Sequence, residues 1–178
     1  MKTYIRIVMG GVVDMSKRTG RQWAILIGAL ALILWLSFVF GNSTLSKQES
    51  AEVSSSFMEA IEVVLRPIVE WVTGESASYD LLHKIVRKGA HLVEFAALSF
   101  ILTVLLRLFC GTWKTHAIGY VLFISLLFGV ADEFLQSFTG RGTSVRDVML
   151  DFVGALIGVG IGIVIIELFE KIFRRRSK

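Results

Sequence analysis

Proline and cysteine are almost missing: the 178-residue chain holds one of each, Pro67 and Cys110. A lone cysteine excludes an intramolecular disulfide and leaves the redox compartment undetermined. No cysteine–histidine grouping has the spacing of a structural zinc site. Charge is sparse too: charged residues make up 19% of the sequence, while 54% is hydrophobic and mean hydropathy is +0.67. Soluble domains average roughly 45–50% apolar residues, so a water-soluble fold is not expected. The sequence also lacks internal repeats, low-complexity tracts, a nucleotide-binding loop and a Ser-His-Asp pattern. The net charge of +4 and pI near 9.4 do not imply nucleic acid. Much of the basic charge lies at the chain ends and beside apolar blocks, a pattern that suits anionic lipid headgroups.

What the sequence does contain is apolar blocks long enough to cross a hydrocarbon core, which needs about 20 residues of helix. Residues 1–22 carry Lys2, Arg6, Lys17, Arg18 and Arg21 without sustained periodicity and read as a cytoplasmic tail, with Met15 an alternative start. Residues 23–40, Trp23 to Phe40, form an uncharged apolar run with no small-x-small cleavage site after it. It reads as an uncleaved signal-anchor helix. Residues 41–79 are polar and mostly acidic. Within them Val53, Phe57, Ile61, Val64, Ile68 and Trp71 recur at helical spacing opposite Glu52, Glu59, Glu62 and Glu70, which predicts an external amphipathic helix. Pro67 is expected to kink or divide it.

Residues 80–178 hold three more spans. The first is capped by Ser78 or Asp80 and runs through a charged third into Phe95–Phe109. A turn over Cys110–His116 leads into Ala117–Phe138, and a loop over Thr139–Arg146 precedes a last helix from about Asp147 to Phe169. The expected fold is all-α: a multi-pass membrane bundle of four transmembrane helices plus the external amphipathic helix. With both termini in the cytoplasm, twelve basic residues lie inside and seven outside, which accounts for all nineteen and agrees with the positive-inside rule.

The hairpins bring a polar constellation to one level: Arg87, Lys88, His91, Glu94, Asp132, Glu133, Gln136, Arg141, Asp147 and Asp151. At 100° per residue, His83, Arg87, His91 and Glu94 form one stripe of their helix. Ionisable groups at membrane depth cost a few kcal/mol each unless paired or wetted, so these should pair. Three readings stay open. Arg87, Lys88, Arg141 and Arg146 neutralise Glu94, Asp132, Glu133 and Asp147 and pin helices together; or Arg87, Lys88 and Arg141 hold an anionic headgroup; or the cluster is catalytic. Arg141 lies on a glycine-rich loop and is expected to be accessible, with Glu94 a buried pairing anion. The His91–Glu94 spacing is half a metal site at most, so no metal or cofactor is expected. Below Asp151 follow Gly154, Gly158 and Gly162, a small-xxx-small row that allows close helix approach and marks the last helix as the central one.

In R-K-G-A-H-L-V-E-F at residues 87–95 and D-E-F-L-Q-S-F-T-G-R-G-T-S-V-R-D-V-M-L-D-F-V-G at 132–154, the chain resembles the VanZ-like family of bacterial membrane proteins. The resemblance covers the last three spans by motif and the first by position and character. It implies that His91, Glu94, Asp132, Glu133, Gln136, Gly140, Arg141 and Asp147 are characteristic polar residues. Thr139 stands where proline is common, which loosens the turn. Asp151 stands where asparagine is often found, adding a charge expected to pair with Arg87 or Lys88. The resemblance further implies a plasma-membrane protein associated with low-level teicoplanin resistance, with no established biochemical activity. An old phosphotransbutyrylase label in the family finds no soluble α/β domain here. The expected partners are membrane lipids and a cell-wall precursor or lipoglycopeptide. Non-enzymatic headgroup binding leads, and an enzyme acting on a phosphorylated lipid or a purely structural bundle are the alternatives.

Overall fold

The computed structural model describes the backbone of residues 2–111 and 115–176, with the side chains of residues 2–18, 47, 56, 115 and 173–176 left out of account. The basic residues expected to mark the two chain ends fall largely outside the described side chains. So does Lys114, in the turn expected over Cys110–His116. The described residues form five α-helices: α1 Lys2–Ser43, α2 Lys47–Thr73, α3 Tyr79–Cys110, α4 Thr115–Phe138 and α5 Val145–Arg176. Four contain membrane-length apolar spans: Thr19–Ser43, Tyr79–Cys110, His116–Phe138 and Val145–Ile172. The shortest, 23 residues, is about 35 Å long at 1.5 Å per residue and exceeds a hydrocarbon core of about 30 Å. The outward surfaces of these helices carry large apolar side chains such as Ile27, Phe123, Phe134, Val164 and Phe169. In water such a surface would aggregate; against acyl chains it is the expected exterior of a bundle.

Three features of the sequence reading are corrected. First, residues 2–22, read as a tail without periodicity, continue α1 in one helix. They lack proline, and Gly10 and Gly11 weaken a helix by only about 1 kcal/mol each without breaking one already nucleated by the span that follows. Second, Pro67 does not divide α2, which runs through it as a single element. Third, the central helix is α3: it packs against α1, α2, α4 and α5, whereas α5 packs against α3 and α4. The glycine row of α5 does mediate close approach. A Cβ at Gly154 or Gly158 would run into the backbone of Leu92 and Ala96 on α3, and one at Gly162 would press on Thr103. Ser99 Oγ donates across the same seam to the Ala155 carbonyl at 2.9 Å. The opposite face of α5, with Leu156, Ile157, Ile161 and Val164, stays exposed. A row of small residues therefore identifies a helix that comes close to a neighbour, not one that is surrounded.

Capping fixes where α2 and α3 start. Ser46 and Glu49 form a reciprocal capping box at the head of α2, which satisfies two otherwise orphan amides. The Ser46 hydroxyl, and then its backbone amide, hold the Glu49 carboxyl below the usual carboxylate range. Ser78 caps α3, accepting from the Leu81 amide at 3.3 Å. Between them Arg66 donates to the Ala77 carbonyl at 2.7 Å while Glu70 accepts from the Ala77 amide at 3.1 Å, so α2 clamps the turn into α3. Its buried face is Met58, Ile61, Leu65 and Val69 against Ala77, Leu82 and Val86. Most of the apolar stripe expected to pack, Val53, Phe57, Val64, Ile68 and Trp71, is more than half exposed. The apolar arc of α2 is wide enough to serve two neighbours, α3 on one flank and, beside a bundle of membrane spans, acyl chains on the other.

Candidate functional site

The C-terminal end of α1, the start of α2, the N-terminal third of α3, the C-terminal end of α4 and the N-terminal turns of α5 meet at one end of the bundle. The alternation of four antiparallel spans requires this. At that end the apolar core formed by Val39, Phe95 and Leu98, with Trp35 and Phe128 against it, gives way to a polar layer. Trp35 Nε1 donates to the Glu94 carbonyl at 2.9 Å and fixes the depth of α1 against α3.

Asp132 sits at the centre and is fully buried. Its Oδ1 accepts from the Ser43 hydroxyl of α1 and its Oδ2 from Gln136 Nε2, one turn on, at 2.6 Å. Glu94 accepts from Asn42 Nδ2 at 3.0 Å. Glu133, also buried, accepts from the Ser144 amide at 2.9 Å and so ties α4 to the turn before α5. His91 Nδ1 lies 3.9 Å from Glu94 Oε2, 3.8 Å from Asp132 Oδ2 and 3.8 Å from Asp151 Oδ1. Asp151 is 1% exposed, and neither of its carboxylate oxygens has a hydrogen-bond partner, nor has His91 Nδ1. One ligand atom from each of His91, Asp132 and Asp151 lies within 4.8 Å of the other two, so among the described residues these three are placed to hold a metal ion.

Arg141 corrects another expectation. It lies on the loop after α4, yet it is 7% exposed, and its Nη1 donates to the Asn42 carbonyl at 3.0 Å while Nε is buried without a partner. The end of α1 supplies an orphan carbonyl that draws the guanidinium inward. Burial, and then Arg87 nearby, push its pKa below the usual arginine value against the opposing pull of Asp132, Glu94 and Glu133. Lys88 does not join the cluster: it is exposed, and its Nζ lies 3.4 Å from Asp147 Oδ1. The expected pairing of Asp151 with Arg87 or Lys88 is not formed. The basic group within 4 Å of it is His91.

Above the cluster opens a cavity of about 250 Å³. Asn42, Ser43, Arg87, His91, Glu94 and Arg141 form its polar side, and Phe38, Leu45, Val53, Phe57, Val86 and Ala90 its apolar side. Of the expected site residues, Arg87, His91, Glu94 and Arg141 line this cavity. Asp132, Gln136 and Asp151 lie buried at the adjoining cluster, Glu133 braces the loop, and Lys88 and Asp147 pair with each other. Sequence reasoning missed Asn42 and Ser43 and the wall contributed by α2. A signal for the first two exists: they are the first amide and hydroxyl pair after the long apolar run of α1, and so stand at the depth where the other spans turn polar.

No curated protein and no solved structure matches the chain. The family model described as VanZ/LLP1 matches residues 26–167. That stretch runs from within α1 through most of α5 and contains every residue of the cluster, and the chain therefore belongs to the VanZ/LLP1 family.

Proposed function

We propose that this protein is a non-enzymatic component of the bacterial envelope that engages the anionic headgroup of a membrane lipid or lipid-linked cell-wall precursor at the outer face, and so alters the response to lipid-tailed glycopeptides such as teicoplanin. The observation that carries this reading is the two-sided cavity. Its polar side offers Arg87, which has no hydrogen-bond or ion-pair partner among the described residues, and the unpartnered Nε of Arg141. Its apolar side is continuous with α2, whose exposed stripe suits acyl chains. An amphiphile with an anionic head fits such a surface. Size narrows the choice: about 250 Å³ lies below the ~300–1,000 Å³ of pockets that enclose drug-sized ligands, so a headgroup fits where a whole glycopeptide does not. The basic-residue asymmetry supports placing this end outside.

The test is expression in a susceptible Gram-positive host with wild type and Arg87→Gln at matched levels. Wild type should raise tolerance to teicoplanin more than to vancomycin, and Arg87→Gln should lose that effect. The lipid-linked precursor pool should remain chemically unaltered. Unchanged tolerance with wild type would overturn the antibiotic role, and modified precursors would replace binding with lipid-directed catalysis.

A further inference from the structure

We infer that His91, Asp132 and Asp151 form a binding site for a divalent first-row transition ion, Zn²⁺ or Mn²⁺, at the floor of the cavity. The inference goes beyond headgroup binding and does not depend on it.

The geometry comes first. His91 Nδ1 stands 3.8–3.9 Å from a carboxylate oxygen on each of three residues, drawn from its own helix, α4 and α5. Those separations are too long for N–H···O hydrogen bonds of about 2.7–3.2 Å. They come close to the spacing of donors round a common centre: ligand atoms about 2.1 Å from an ion and roughly 110–130° apart are separated by about 3.4–3.8 Å, and one ligand atom from each of His91, Asp132 and Asp151 lies within 4.8 Å of the other two. Satisfaction comes second. Buried polar atoms are nearly always hydrogen-bonded, and an unpaired buried carboxylate is strongly disfavoured. Asp151 is 1% exposed with both oxygens unpartnered, and His91 Nδ1 is buried and unpartnered beside it. The unpartnered His91 Nδ1 and Asp151 Oδ1 lie 3.8 Å apart, a separation that one ion can bridge.

The surrounding shell has the organisation that metal ligands require. Ligand carboxylates are characteristically oriented by outer hydrogen bonds. Asp132 is held by Ser43 and Gln136, and Glu94 by Asn42. The donor set of one imidazole with two carboxylates selects the ion. Imidazole suits Zn²⁺ and its neighbours, while carboxylate oxygen extends the range to Mn²⁺. The only thiol, Cys110, ends α3 at the other end of the bundle, which argues against Cu(I). Charge agrees as well. Arg141 brings one positive charge near Asp132, Glu94 and Glu133, so a divalent cation would supply the further compensation that the buried carboxylates need. His91 and Glu94 both line the cavity, which gives the ion an entry path and leaves its coordination open on the cavity side.

The experiment uses the full chain in nanodiscs, stripped with EDTA and titrated with Zn²⁺ and with Mn²⁺, followed by calorimetry, thermal unfolding and, after Co²⁺ substitution, visible absorption. The expected result is one equivalent of ion per chain, a melting temperature raised by metal and lowered again by EDTA, and Co²⁺ ligand-field bands. Asp151→Asn and His91→Ala should each abolish the bands, Gln136→Ala should weaken affinity about 10–100-fold, and His116→Ala at the other end should change nothing. A wild-type chain that binds neither ion, or whose melting is indifferent to both, overturns the inference even if the variants fail to fold. Binding that survives Asp151→Asn and His91→Ala also overturns it.

Discussion

Arg141 shows how a loop position can become a structural one. Its guanidinium leaves the loop to meet the carbonyl of Asn42, ninety-nine residues earlier, and the same Asn42 donates its amide to Glu94. One residue at the end of α1 thus serves a cation through its backbone and an anion through its side chain. Arg141→Ala should lower thermal stability, by about 1–3 kcal/mol, the usual consequence of leaving a buried polar partner unsatisfied. Arg141→Lys should recover only part of it, since an ammonium lacks the planar fork. Thermal unfolding of detergent-solubilised variants measures both, and unchanged melting in Arg141→Ala would return the side chain to solvent. The polar residues inside the apolar spans were legible from sequence because each is conspicuous there: His91, Glu94, Asp132 and Asp151 interrupt hydrophobic helices. Asn42 and Ser43 were not, because a helix end followed by polar chain looks the same whether its side chains face water or a neighbouring helix. Lys88 illustrates the converse. One position along from Arg87, it is turned by 100°, enough to move it from the cavity to Asp147.

At the scale of the helix, length and apolar content sufficed to place the spans, because a bilayer permits few alternatives. Pairing between spans was harder to read, since lipid rewards close contact and not burial as such. The glycine row of α5 signals close approach but not which helix lies at the centre. That place belongs to α3, which carries Leu92, Ala96, Ser99 and Thr103 opposite the glycines and still packs against three other helices. The contrast between two glycines of α5 tests this seam. At Gly158 a methyl group would enter the Ala96 carbonyl and the Ser99 hydroxyl, whereas at Gly160 it would meet nothing within 4 Å. Gly158→Ala should therefore destabilise by the ~1–3 kcal/mol of an overpacked core, and more if the backbones cannot separate. Gly160→Ala should stay within about 0.5 kcal/mol of wild type. Equal effects on the unfolding midpoint would mean that α5 does not rest on α3 through this face.

For the whole molecule, four spans place the N-terminal end of α1 and the C-terminal end of α5 on the same side of the bilayer, opposite the polar cavity. The far end has its own fastening. Arg21 donates to the carbonyls of Leu108 and Phe109 at 2.8 and 2.9 Å, closing the C-terminus of α3 where cations are favoured, and Arg107 pairs with Glu170 of α5. Charge favours placing the cavity end outside: twelve basic residues would then lie inside and seven outside, and several of the seven belong to the cavity or to α2 and would be outside for the site's sake. The single native cysteine turns this into a direct measurement. Cys110 is exposed at the end opposite the cavity, so a membrane-impermeant maleimide added to intact cells should leave it unmodified and should label it fully once the membrane is permeabilised. In a Cys110→Ser background, Ser76→Cys, in the exposed turn between α2 and α3, should react in intact cells. The reverse pattern, with Cys110 labelled from outside and position 76 protected, would place the cavity in the cytoplasm. A site there never meets an extracellular glycopeptide at the outer leaflet, and the proposed role in teicoplanin tolerance would fall with the topology.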